Sequence, residues 1–200
     1  MIRVITAPAS YPVTRAQAKE WCRVDADDSS QDNVLDLLIG AMTNYAEHLT
    51  GRAFVERTLE YSCDYFSSRI ELPFPPLLGV TEVTYTDVNG AAQTVAPSSY
   101  EVDTVSEPGR IQVVSGSVWP SVGNGFNPAR IRYRAGYVPV GSPTPADNSQ
   151  IPPEVRTWIA ARLATLFKNR EQLIDGRDVQ IPRDFADGLL DPLVIGSRLF

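Results

Sequence analysis

Asp25, Asp27, Asp28 and Asp32 form an acidic cluster, and closely spaced carboxylates are the raw material of a calcium loop. Such a loop needs oxygens at alternate positions, glycine at the sixth and glutamate at the twelfth. Counted from Asp25, those two positions hold Ser30 and Asp36, so the loop fails at both. Helix electrostatics gives the simpler reading, because a macrodipole favours acidic residues ahead of a helix start. His48 is the single histidine. A zinc site of several histidines is therefore excluded, and a Ser-His-Asp triad would have no other base. Lying beside Glu47 near the end of a predicted helix, His48 reads as a surface residue.

Two further motifs are worth testing. The stretch "GSVWPSVGNGFNP" contains Gly123 and Gly125 but matches neither a phosphate-binding P-loop nor a dinucleotide-binding turn, so it reads as an ordinary loop. In "ARIRYRAGY", strand alternation puts Arg130, Arg132 and Arg134 on one face and Ile131 and Tyr133 on the other. Three arginines in a row could grip phosphates, meet carboxylates of a neighbouring subunit, or form a solvated outer face. These residues give no expected catalytic residue, no cofactor-binding residue and no metal ligand. The chain is expected to be no enzyme and to hold no cofactor.

Composition narrows the class. A chain of 200 residues with 43% apolar and 21% charged residues supports one domain, or one domain with a sizeable insertion. Its net charge is −6 and its pI about 4.8, whereas a protein that holds DNA by its phosphates needs a basic face. Nucleic-acid binding is thus not the expected main task. Cys22 falls in a predicted helix and Cys63 in a predicted strand, and the pair reads as two separate thiols suited to a reducing cytoplasm. The opening "MIRVITAPASYP" lacks a signal-peptide core, and no apolar run approaches the ~18 residues of a membrane span. The expectation is a soluble, cytoplasmic protein.

These residues must be positioned by helices at both ends and strands between. Thr14 and Gln17 form a capping box that starts a short helix, with Ala18, Trp21 and Cys22 on its expected buried side. A longer helix is predicted from Ser30 to Thr50. Its apolar face would be Val34, Leu35, Leu38, Met42, Tyr45 and Leu49, and Gly51 would end it with positive φ. From Arg57 the period becomes two. Leu59, Tyr61, Cys63 and Tyr65 form the buried side, while Thr58, Glu60, Ser62 and Asp64 form the polar side. Pro73, Pro75 and Pro76 mark a crossing between strands, and Val83 and Tyr85 belong to the next one. Asn89-Gly90 predicts a type I′ hairpin. Shorter strands are predicted near Thr94, over Tyr100–Val102, over Arg110–Val114 and over Arg130–Ala135. A linker, "VPVGSPTPADNSQIP", leads to Pro153 at the start of a helix that buries Val155, Trp158, Ile159, Leu163, Leu166 and Phe167. That helix is expected to pack on the one ending at Thr50.

The predicted fold is α+β: a small helical bundle built from both chain ends, with an inserted antiparallel β module. The expected division is 1–55 for the first helical part, 56–140 for the β module, and 141–200 for the closing helix and tail, which pack with 1–55. A short helix is possible near Arg183 to Leu190. The apolar end "DPLVIGSRLF" is too greasy for a solvated tail, so Pro182 to Phe200 is expected either to fold back on its own subunit or, the preferred reading, to lie across a neighbouring subunit or the portal.

Taken in order, "PVTRAQAKEWCRVDADDSSQDNVLDLLIGAMTNYAEHLTGRAF", "LPFPPLLGVTEVTY", "YEVD", "PGRI", "WP", "YRAGY" and "IPPEVRTWIAARLATLFKNRE" resemble the head–tail connector (adaptor) proteins of tailed bacteriophages and gene transfer particles. The resemblance runs from Pro12 to Glu171. It implies a homo-oligomeric ring of about twelve subunits below the portal protein, to which a tail terminator or stopper protein attaches. It also implies a place in the virion neck after synthesis in the bacterial host cytoplasm, with no membrane partner. DNA would pass through the channel without specific binding, which an acidic charge suits. Two rival readings are a β-rich binding or baseplate module and a hydrolase with an unfamiliar site.

Overall fold

In the computed structural model, which describes residues 1–137, 150–169, 173–174, 177–178 and 187–195, the chain divides into two units. One comprises Met1–Ala9 and Val55–Gly141, the other Ser10–Phe54 and Ser142–Phe200. The predicted linker at 138–152 lies almost wholly outside the described residues, as does the first half of the helix expected near Arg183. The fold is α+β, with three α-helices, two larger antiparallel sheets and a two-stranded pair among the described residues.

The helical unit begins at the expected capping box. The Thr14 hydroxyl accepts from the Gln17 amide at 3.2 Å, and the Gln17 side chain accepts from the Thr14 amide at 2.9 Å. Helix α1 (Arg15–Cys22) buries Ala18 and Lys19, while Trp21 is 47% exposed. The expected burial of Trp21 is therefore wrong, because the lysine occupies the inner side. Helix α2 (Asp32–Thr50) ends at Gly51, whose φ of 69° is the left-handed conformation a glycine adopts without strain. Its buried residues are Leu35, Ile39, Thr43, Ala46, Glu47 and Thr50, with Glu47 accepting from the Phe54 amide at 2.9 Å. Val34 and Tyr45 from the predicted face are exposed, and Leu38, Met42 and Leu49 are only half-buried. The stripe turns toward the threonines because their hydroxyls bond to their own helix, Thr43 to the Ile39 carbonyl and Thr50 to that of Ala46. A hydroxyl satisfied this way is no obstacle to burial. Helix α3 (Pro153–Lys168) packs on α1 and α2, burying Val155, Trp158, Ile159 and Leu163 as predicted, with Leu166 and Phe167 half-buried.

After α3 come two short strands, β9 (Leu173–Ile174) and β10 (Arg177–Asp178), and two single-turn 3-10 segments, Asp187–Leu189 and Asp191–Leu193. Leu190 is buried, the Arg52 guanidinium donates to the Leu193 carbonyl at 2.6 Å, and the Ile195 amide donates to the Thr50 carbonyl at 3.1 Å. The described part of the C-terminal segment is thus tied to the end of its own α2. The Ile195 amide satisfies one carbonyl at the end of that helix, where the last carbonyls lack intrahelical donors. Residues 196–200 lie outside the described residues.

In the β unit, a five-stranded sheet has the order β1 (Ile2–Thr6), β2 (Arg57–Cys63), β8 (Ala129–Ala135), β4 (Leu77–Thr86), β5 (Ala92–Thr94). A three-stranded sheet pairs β3 (Arg69–Leu72), β7 (Gly109–Val113) and β6 (Tyr100–Asp103). Strands β1 and β3 had not been expected. The prolines after β3 mark the crossing from the smaller sheet to the larger. The core gathers Leu59, Ile70, Val83, Ile111, Ile131 and Tyr133. On β2 both Leu59 and Glu60 are buried, and Tyr65 is 70% exposed, so strict alternation fails there. The hairpin at Asn89-Gly90 forms, but with another turn. Gly90 alone has positive φ, its amide donates to the Asp87 carbonyl, and the Asp87 and Ala91 backbones pair across it. That is a type I turn closed by a glycine bulge, and Asp87 selects it by accepting from the amides of Asn89 and Ala91.

Candidate functional site

The polar face of the five-stranded sheet carries the arginine row, and register explains what the row meets. Arg3 on β1 stands opposite Glu60 on β2, Glu60 opposite Arg132 on β8, and Arg132 opposite Glu82 on β4. Charges of opposite sign thus alternate across four strands, the arrangement that stabilises cross-strand neighbours. Arg3 reaches Glu60 at 3.2 Å and Arg132 reaches it at 3.1 Å, while Arg132 also binds Glu82. Arg134 binds the buried Glu56 at 2.7 Å. Two of the three arginines are therefore matched by the protein's own carboxylates. Arg130 alone of the row has no ion-pair partner among the described residues.

This arrangement has little chemical reactivity. Glu60 lies between two guanidinium groups, both of its oxygens engaged by arginine. A phosphate grip would need converging free cations, and Arg132 and Arg134 are already committed. The sequence named the arginines but missed Glu56, Glu60 and Glu82. The available signal was that Glu60 falls on the polar side of its own alternating strand, ready to face a basic strand.

The acidic cluster holds a cation of its own. The Lys19 ammonium donates to the carbonyls of Ala26 at 3.0 Å and Asp28 at 2.8 Å, and pairs with the Asp32 carboxylate at 2.8 Å. Arg15 braces the same corner through Asp32 and Asp36. Lys19 thus supplies from α1 the positive charge that a calcium loop would take from solution. The Asp36 carboxyl is held below its ordinary range, chiefly by its hydrogen bond from Arg15. Ser30 does the same for Asp28. Asp25 and Asp27 stay exposed. Among the described residues no group of three His, Cys, Asp or Glu side chains converges to hold a metal.

His48 is exposed in the last turn of α2, where a helix end favours positive charge. Gly123 packs against the Asp87 carbonyl, its amide donating to Thr86 at 2.8 Å, so its loop leaves no room for a side chain there. Gly125 meets open space. Cys22 and Cys63 are free thiols, each raised from its ordinary pKa by burial. In the smaller sheet, Asp103 accepts from the Ser106 hydroxyl, from Arg110 and from the amides of Val105 and Ser106. The Ser106 hydroxyl and then Arg110 hold its carboxyl far below the usual carboxylate range. Tyr133 is raised by burial, and its hydroxyl donates to the Pro73 carbonyl at 2.8 Å. Asp103 and Tyr133 are thus engaged in holding structure. Among the described residues no helix is long and apolar enough to cross a membrane.

No family model and no curated protein matches the sequence. Solved structures do. The chain is similar to one in the virion of a native gene transfer agent particle, with a TM-score of 0.75 and 20% identity. It is also similar to chains in the neck of an empty gene transfer agent particle with C6 symmetry (TM-score 0.73, 21% identity) and in the neck of a native one with C12 symmetry (0.65, 20%). In all three, 99% of each chain is covered, so both units belong to the shared fold.

Proposed function

We propose that the chain is a structural head–tail connector (adaptor) subunit of a phage or phage-like particle, forming a ring below the portal. The observation that carries the reading is the likeness over 99% of both chains to components of gene transfer agent necks and virions. The resemblance of "RVD", "TGR", "YRAGY" and the closing helix to adaptor proteins points the same way. In this reading about twelve copies close around the axis. The ring binds the portal protein on one side and a tail terminator or stopper on the other, extending the DNA channel between them.

The chemistry of the surface supports a passive role. Arg3, Arg132 and Arg134 on the sheet face are paired with the protein's own carboxylates, and a net charge of −6 gives DNA phosphates little to hold. The protein is then neither an enzyme nor a holder of cofactors, and it resides in the particle. The helical unit, with α3 packed on α1 and α2, counts against an isolated β-rich module. Deleting the gene in a particle-producing strain tests the reading. DNA-filled heads without tails are expected, restored to tailed particles by adding the purified protein. Normal tailed particles from the deletion strain would refute it.

A further inference from the structure

Among the described residues, each unit exposes a surface whose most exposed side chains are apolar, in a chain where 21% of residues are charged. On α2 the outer side presents Val34 at 37%, Leu37 at 73% and Tyr45 at 49% exposure, with Ala41 also exposed between them. The acids at the start of that helix, Asp32 and Asp36, are neutralised by Lys19 and Arg15. A surface helix ordinarily turns charges to water, so an outer stripe of this kind marks a contact.

The second surface is one end of the five-stranded sheet. There Tyr65 is 70% exposed, Val88 69%, Val118 85% and Phe126 96%. Hydrogen bonds tie their loops together: the Asn127 amide donates to Asp64, that of Thr86 to the Pro128 carbonyl, and that of Gly123 to Thr86. Behind them Phe66 stacks on Trp119 at 4.7 Å, with Tyr85 and Tyr100 at its flanks. Residues 115–128 contain no charged side chain at all. The acids nearby, Asp64 and Asp87, are committed to backbone amides. Apolar tips on a braced aromatic base have the make-up of an interface core, where charges are depleted and aromatics enriched.

We infer that these two surfaces cover each other between neighbouring copies, the loop end of one subunit seating on the α2 face of the next. The inference rests on the ring reading above and names the contact that reading requires. A head-to-tail ring needs two different patches on each subunit that complement one another. The chain supplies two, one in each unit, and the most exposed side chains of both are apolar, so their meeting buries little charge. A charged portal or tail surface would leave its own ions unmatched against either one.

Cysteine cross-linking in assembled particles tests the contact. In a chain with Cys22→Ser and Cys63→Ser, Leu37→Cys and Phe126→Cys are introduced together, and Ala41→Cys with Val118→Cys serves as a second pair. All four sites are exposed, so folding, checked by thermal melting, should be unchanged. Mild oxidation should give a ladder of linked subunits for at least one pair. Mixing the two single-cysteine proteins of that pair should give dimers that neither gives alone. Dimers of a Leu37→Cys protein with itself, or of a Phe126→Cys protein with itself, would overturn the pairing. So would unlinked subunits in particles that still carry tails, which would leave the connector reading standing with another protein on these surfaces. Protein that never enters particles would instead defeat the connector reading, and this inference with it. As a second readout, Leu37→Asp should reduce incorporation at least tenfold with an unchanged melting midpoint.

Discussion

At the scale of single residues, charged side chains serve as internal fasteners. Lys19 is nearly buried, and three oxygens from the following loop and from α2 converge on its ammonium. Lys19→Met should destabilise the protein by about 1–3 kcal/mol, since two carbonyls lose a charged donor while Asp32 keeps Arg15. A lower urea midpoint at an unchanged denaturant slope would show it. Asp103 gives a pH expectation with a definite sign. Its folded pKa lies below its unfolded value, so its contribution is present above about pH 4 and disappears as pH falls through the folded value. Stability measured against pH should drop on the acid side of 4, and the drop should be shallower in Asp103→Asn. A variant whose acid limb is as steep as the parent's would show that Asp103 binds no extra proton on unfolding.

At the scale of elements, burial decides which positions matter. Leu163 on α3 has no exposure, so Leu163→Ala should cost about 2–5 kcal/mol. Leu38 on α2 is only half-buried, and Leu38→Ala should cost about 1–2 kcal/mol. Equal losses at the two sites, measured by urea unfolding, would contradict the observed stripe. The helices were legible because their signals are local: a capping box at Thr14, a glycine at position 51, a proline at 153. The rotation of the α2 stripe was not, because Thr43 and Thr50 count as polar until their hydroxyls are seen bonding to their own helix. Strand β1 escaped notice for a related reason. It is an edge strand with four of its five residues exposed, so burial imposes no alternation on its sequence. The charge row was half legible: the arginines show in one strand, but their carboxylates come from strands far away in sequence, which only pairing brings opposite.

For the whole molecule, the chain returns to its first helices at its end. Leu190 is buried, and the Ile195 amide caps a carbonyl at the end of α2. Truncation before Leu190 should therefore lower the melting midpoint by about 4–8 °C, from the loss of one buried leucine alone. An unchanged midpoint would mean that this segment contributes nothing to its own subunit. The sequence expectation of a tail reaching to another chain rested on apolar composition. Composition cannot distinguish a residue that covers its own core from one that covers a neighbour's, and the same limit hid which outer surfaces expose apolar side chains.

The arginine row has one further consequence, for how the strands find their places. Because β8 repeats arginine at every second position, sliding it by two residues along β2 would still set an arginine opposite Glu60, either Arg130 or Arg134. Charge therefore fails to distinguish the native alignment from its slipped copies, which keep every side chain on its proper face. Bulk must distinguish them. Slipped one way, β8 would bring Arg134 opposite Glu56, where only Gly136 clears the backbone. Slipped the other way, it would set Tyr133 against Tyr61, and either slip would take the Tyr133 hydroxyl away from Pro73. One glycine and one tyrosine thus carry the alignment information that three arginines do not.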